Sequence, residues 1–104
     1  MANPWRGEVS IVIDGQRHEA RLTLGALVEL EAQMQADSLL ALVERFEGNR
    51  FSSRDVLALL AAGLRAGGSG IDAKTLEHAQ IEGGPMAAAR AAAELLARAF
   101  AVPE

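Results

Sequence analysis

The sequence predicts an α+β fold that is mostly α: an N-terminal two-stranded antiparallel hairpin packed on a bundle of four to five short helices. Three observations carry this. Residues 7–24 alternate apolar and polar side chains about the pair Asp14-Gly15, the pattern of a tight hairpin. Beyond them, apolar residues recur at spacings of three and four. The hydrophobic half of the composition is built on alanine and leucine, with aromatics at only 4%. Alanine has the highest helix propensity and almost no side-chain entropy to lose. A chain of 104 residues makes a single domain, 1–104. It divides into an N-terminal arm (1–6), the hairpin (7–24) and a helical body (25–102).

In the hairpin, Val9, Ile11 and Ile13 alternate with Glu8, Ser10 and Val12. A type I′ turn needs positive φ at both central residues, and Asp-Gly supplies it. With Asp14-Gly15 as the turn, Ile13 faces Gln16, Ile11 faces His18, Val9 faces Ala20 and Gly7 faces Leu22. On the other face Val12 meets Arg17, Ser10 meets Glu19 and Glu8 meets Arg21. Cross-strand pairs of this kind contribute ~0.2–1 kcal/mol each. An isolated hairpin is marginal in water, so its apolar face must lie on the helices. His18 falls on that face and reads as a core-edge histidine bonded to a backbone carbonyl.

The first helix is expected at about residues 24–35, capped by Thr23, with Leu27, Leu30 and Met34 as its inner stripe. Glu31 lies in that stripe and Glu29 points away. Glu31 is either a boundary carboxylate paired with an arginine such as Arg21, or a charge facing a partner. Asp37-Ser38 restarts a second helix at 39–47. Leu39, Leu42, Val43 and Phe46 form its inner face, and Gly48 ends it as a C′ residue. Ser52 with Asp55 three residues on resembles a capping box. Phe51 before it is read first as the hydrophobic staple, with a partner contact as the alternative.

The third helix, about 53–66, is apolar nearly all round: Val56, Leu57, Leu59, Leu60 and Leu64, with Ala58, Ala61 and Ala62 between them. Such a helix is buried on all sides. It is either the central rod of the bundle or a rod with one face, including Leu59, turned to another protein. Gly67-Gly68-Ser69-Gly70 is a break without the spacing of a phosphate loop. Asp72 caps a short helix from 73 to about 80, with His78 solvated. Pro85 after Gly83-Gly84 opens the last helix at N1. Its predicted seam is Met86, Ala89, Ala93, Leu96 and Phe100, with Arg90, Glu94 and Arg98 on the solvated side. No internal repeat is visible.

Composition excludes several functions. There is no cysteine, hence no disulfide, zinc-thiolate site or cysteine nucleophile. Lys+Arg 10 against Asp+Glu 14 gives 10 − 14 = −4, and Lys74 is the single lysine. That balance opposes a nucleic-acid binder, which needs a basic stripe. The longest apolar run, from Val56 to Leu64, is too short to span a bilayer, and no secretory signal opens the chain. No membrane partner is expected, and the expected location is cytoplasmic. The two histidines lie on different elements, without a nucleophile motif or a metal-ligand cluster. The sequence is thus read as non-enzymatic, with no catalytic, cofactor-binding or metal site.

Ile13-Asp14-Gly15, then Leu22-Thr23-Leu24-Gly25-Ala26-Leu27, then Leu30-Glu31, resemble a known family. So do Ser38-Leu39, Asp55-Val56-Leu57, Ala62-Gly63-Leu64-Arg65 and the closing alanine-rich helix. The family is that of gene transfer agent and phage tail assembly chaperones, whose members are also described as tail tube proteins. The resemblance runs from Gly7 to about Phe100. It implies a helper encoded among the tail genes of a phage-like particle of bacteria, engaging the tape-measure protein or the tail tube protein, with no catalytic residues. A tube subunit is expected to carry a large sheet that closes into a ring, and this chain has material for two strands. The chaperone reading is therefore preferred. A structural tail component is the first alternative, and a small helical regulatory or DNA-binding module the second. The candidate partner-binding residues are Trp5, Glu31, Leu59 and Phe51. Trp5 either packs on its own domain or is an exposed anchor beside a strand edge.

Overall fold

The computed structural model describes residues 8–35, 38–48 and 50–99, with Leu39 as backbone only. The expectations for Trp5, Gly7, Phe100 and the side chain of Leu39 lie outside the described residues. The order is β1 (Val9–Ile13), β2 (Gln16–Ala20), α1 (Leu24–Gln33), α2 (Leu39–Glu47), α3 (Ser53–Ala66), α4 (Ala73–Glu77) and α5 (Gly84–Ala99).

The hairpin has the predicted register, with Ile13 paired to Gln16 and Val9 to Ala20. Asp14 and Gly15 both adopt positive φ, 50° and 80°, as a I′ turn requires. Val9, Ile11, Ile13 and Ala20 are buried. The outer edge of β1 is partly covered. Ile13 bridges Ile81, Asp14 N–H donates to Gln80 O at 2.8 Å, and Glu82 N–H donates to Val12 O at 3.0 Å. The Asp14 carboxylate also accepts from Gln80 N–H at 2.9 Å. Replacing Asp14 and Gly15 together by valine forces β-branched residues into positive φ and deletes that last bond. The expected loss is ~1–3 kcal/mol or more, measured by urea denaturation.

Two polar expectations for the hairpin are corrected. Arg21 Nε donates to Ala66 O at 3.3 Å, meeting an orphan carbonyl at the end of α3 rather than pairing with Glu31. His18 Nδ1 lies 3.2 Å from Ser69 Oγ, so its partner is a hydroxyl from the glycine-rich break and not a backbone carbonyl. On the solvent face Arg17 pairs with Glu19 at 3.4 Å and donates to Ser10 Oγ at 2.9 Å.

Each of the first four helices begins where a side chain can cap it. Thr23 accepts from Ala26 N–H, Ser38 from Ala41 N–H and Asp72 from Thr75 N–H. Ser52 and Asp55 form a reciprocal capping box. Gly48 ends α2 as the C-cap at φ −84°, not as a left-handed C′ residue. Asp72 is held below its ordinary value of 3.8, chiefly by the Thr75 backbone and side-chain hydrogen bonds. A depressed folded value means that the stabilisation is present above the unfolded value and lost as pH falls through the lowered one. The Thr75 amide resonance is expected to titrate with a midpoint below 3.8, and Asp72→Asn to abolish that titration while keeping the cap.

α3 is the central rod. It packs against α5, α1, β2 and α4, and Leu59 and Leu64 are 0% exposed. Burying each such leucine contributes roughly 1.5–3 kcal/mol relative to exposure. Among the described residues no buried side-chain nitrogen or oxygen lacks a partner.

α4 stops at Glu77, earlier than the expected end near 80, because Gln80 to Glu82 turn to pair with β1. The α5 seam is also corrected. Ala88, Ala91, Ala92, Leu95 and Leu96 are buried, whereas Met86 is 73% exposed and Ala93 is exposed. Alanine on every side of α5 leaves the period without a phase. The phase is set by Leu95, which fills the space over Gly63: a Cβ there would lie 2.9 Å from Leu95 Cδ1. Glu94 and Arg98 form the expected i,i+4 pair at 3.6 Å.

Candidate partner-binding surfaces

The structure separates three of the four candidate residues; Trp5 lies outside the described residues. Leu59 has no exposed surface and so offers nothing to a partner in this conformation; burial against neighbours on every side overrides the docking alternative for it. Glu31 is half-buried on α1, and among the described residues it forms no ion pair. Arg65 instead pairs with Glu29 at 3.3 Å. Phe51 is half-buried and stacks on Phe46, ring centroids 4.6 Å apart and planes 4° from parallel. It locks the α2–α3 connection rather than standing free, as aromatic pairs of this kind do. Arg45 braces the same corner, donating to Asp55 Oδ1 at 3.3 Å and to Met34 O at 3.4 Å.

Phe51 also borders an apolar groove of about 460 Å³ between α3, α4 and the start of α5. Val56 and Leu57 of α3, Ile81 and Met86 form its upper walls, and Leu60 and Leu76 its floor. The floor is buried, the walls are half-buried, and Met86 is 73% exposed at the rim. Glu77 is the charged residue in the lining. The groove continues past Ala79, Ile81 and Pro85 into a hollow of about 750 Å³ at the hairpin turn, where Asp14 and Glu82 contribute. Among the described residues none of these three carboxylates is in an ion pair.

The sequence reading missed this groove because it placed Met86 inside the α5 seam. Steps of three and four lead from Leu95 to Ala92, Ala91 and Ala88 but from Leu96 to Ala93, Ala89 and Met86, so the sequence held no signal that separates the two phases. A second apolar patch lies on α1, where Leu24 and Val28, one turn apart, are 74% and 59% exposed. Single exposed leucines are ordinary; the groove differs in being concave and lined by several elements.

Among the described residues there is no group of three or more His, Cys, Asp or Glu placed to hold a metal ion, and no helix is long and apolar enough to cross a membrane. The family described as phage tail tube protein, GTA-gp10, matches residues 6–102, and the chain is similar to it over nearly its whole length. No curated protein and no solved structure gives a match. A match over residues 6–102 shows the family: the chain belongs to the GTA-gp10 phage tail tube protein family.

Proposed function

We propose that this protein is a non-enzymatic tail assembly chaperone. It binds the tape-measure protein or the tail tube protein while a phage-like particle is built in the bacterial cytoplasm, and it leaves before the particle is complete. The observation that carries the reading is the sheet, which has two strands in the order β1-β2. Ring closure through a sheet needs a tilted, hydrogen-bonded strand array, and the rest of the described chain is helical and loop. The groove beside Met86 supports the same reading, since a concave apolar surface suits transient cover of a client segment.

A permanent place in the tail is the second reading, favoured by the family's description as a tail tube protein. Quantitative mass spectrometry of purified particles separates the two. The chaperone reading expects the protein in assembling cells, captured with the tape-measure or tube protein, and only traces in finished particles. Copy numbers in finished particles comparable to the tube subunit would establish the structural role instead.

A further inference from the structure

We propose that the groove bordered by Val56, Leu57, Ile81 and Met86 binds a helical client segment that is apolar on one face and carries Lys or Arg along that face's borders. This rests on the chaperone reading and specifies its partner. The groove supplies the apolar half of the argument: buried floor, half-buried walls and an exposed, flexible methionine at the rim. Methionine suits such a place because its unbranched side chain adapts to different packing partners. Charge supplies the other half. Among the described residues the charged ones lining the groove and the hollow that continues it are Glu77, Asp14 and Glu82, all acidic. An occupant with cations beside its apolar face pairs with them, and one with carboxylates there is repelled.

The chain itself offers no such occupant among its described helices. The charged face of α5 alternates in sign through Arg90, Glu94 and Arg98, with Glu94 and Arg98 already paired. Glu8, the first described residue, accepts through its backbone O from Arg98 in the last turn of α5, whereas the groove lies at Pro85 to Ala89. The acidic lining assigns a partner of the stated chemistry as the occupant; a second copy and the chain's own arm are outcomes that the test separates.

The test uses the full chain and a labelled synthetic peptide of about 15 residues, long enough to form a helix on binding. It carries leucine along one face and lysine on both borders; a control peptide has glutamate in place of lysine. Fluorescence anisotropy should show the lysine peptide binding at least about tenfold tighter than the glutamate peptide. Met86→Asp should weaken it about tenfold or more, with an unchanged thermal melt because Met86 is on the surface. Glu77→Lys with Glu82→Lys should weaken it similarly and flatten its salt dependence. Equal binding of the two peptides, or variants that bind like the wild type, would overturn the proposal. So would a wild-type dimer in sedimentation that Met86→Asp splits while the lysine peptide fails to bind; the occupant is then a second copy. Peptide binding that tightens severalfold in Trp5→Ala would assign the groove to the chain's own arm.

Capture of the tape-measure or tube protein with wild-type and Met86→Asp bait keeps this proposal distinct from the chaperone reading. Equal capture by both sinks the groove and leaves the chaperone. Peptide binding by the wild type without capture of either client does the reverse.

Discussion

Leu59→Ala is expected to destabilise the protein by about 2–5 kcal/mol. Leu59 is 0% exposed at the middle of α3, the helix that touches both other long helical elements and the hairpin. Removing its terminal carbons loses their transfer free energy and leaves a cavity that rigid neighbours fill only in part. The neighbours here are backbone-anchored elements on several sides, so little collapse is available. In a domain of this size each kcal/mol corresponds to about 4–8 °C of Tm, so urea denaturation and a thermal melt both report the change. Leu24→Ala is the control: at 74% exposure it should stay within about 0.5 kcal/mol. A Leu59→Ala loss below about 1 kcal/mol would mean that this side of α3 is solvated in the free protein.

Leu59 also shows where sequence reading reaches its limit. A helix apolar on all sides is equally consistent with a core rod and with a rod that has one docking face, and only the placement of the other elements decides. The hairpin register from Val9 to Ala20 was legible because two independent signals, turn chemistry and period-two alternation, fix it. The caps were legible because each is a local side-chain-to-backbone bond three residues long. Contacts between distant residues were not. Ser69 reaches His18 across 51 positions, and Ile81 joins the edge of β1; neither leaves a periodic trace. The α5 seam failed for a different reason. Alanine gives the same apolar signal at every angle, so the period is visible and the phase is not. Among the described candidate residues for partner binding Phe51 borders the groove, and the groove itself is made by α3, α4 and α5 meeting, which no single segment encodes.

Gly67→Ala is expected to cost about 1–3 kcal/mol or more, the range of overpacking in a closed space. Gly67 sits at φ −81° and ψ −1°, a conformation open to any residue, so the demand for glycine comes from space and not from the backbone. A Cβ there would lie 2.3 Å from Glu19 O and 3.1 Å from Ala20 Cα. Both are backbone atoms of β2, and β2 is fixed on two sides. Glu19 is paired with Ser10 in the ladder, and Arg21 N–H donates to Gly63 O at 3.0 Å. Relief therefore requires the hairpin to lift from the end of α3, loosening Arg21 on Ala66 O and His18 on Ser69. Gly63→Ala is the informative comparison. Its Cβ would meet Leu95 Cδ1 at 2.9 Å, the far end of a side chain that can turn, so its cost should be the smaller. Gly25→Ala, with 3.9 Å to the nearest atom, should be neutral or stabilising by about 0.4–1 kcal/mol through the unfolded chain. Denaturation of the three variants should thus rank Gly67→Ala as the least stable, with hydrogen-exchange protection of the hairpin amides falling in that variant first. A Gly67→Ala protein as stable as Gly63→Ala, with hairpin protection unchanged, would show that β2 is not pressed onto the end of α3.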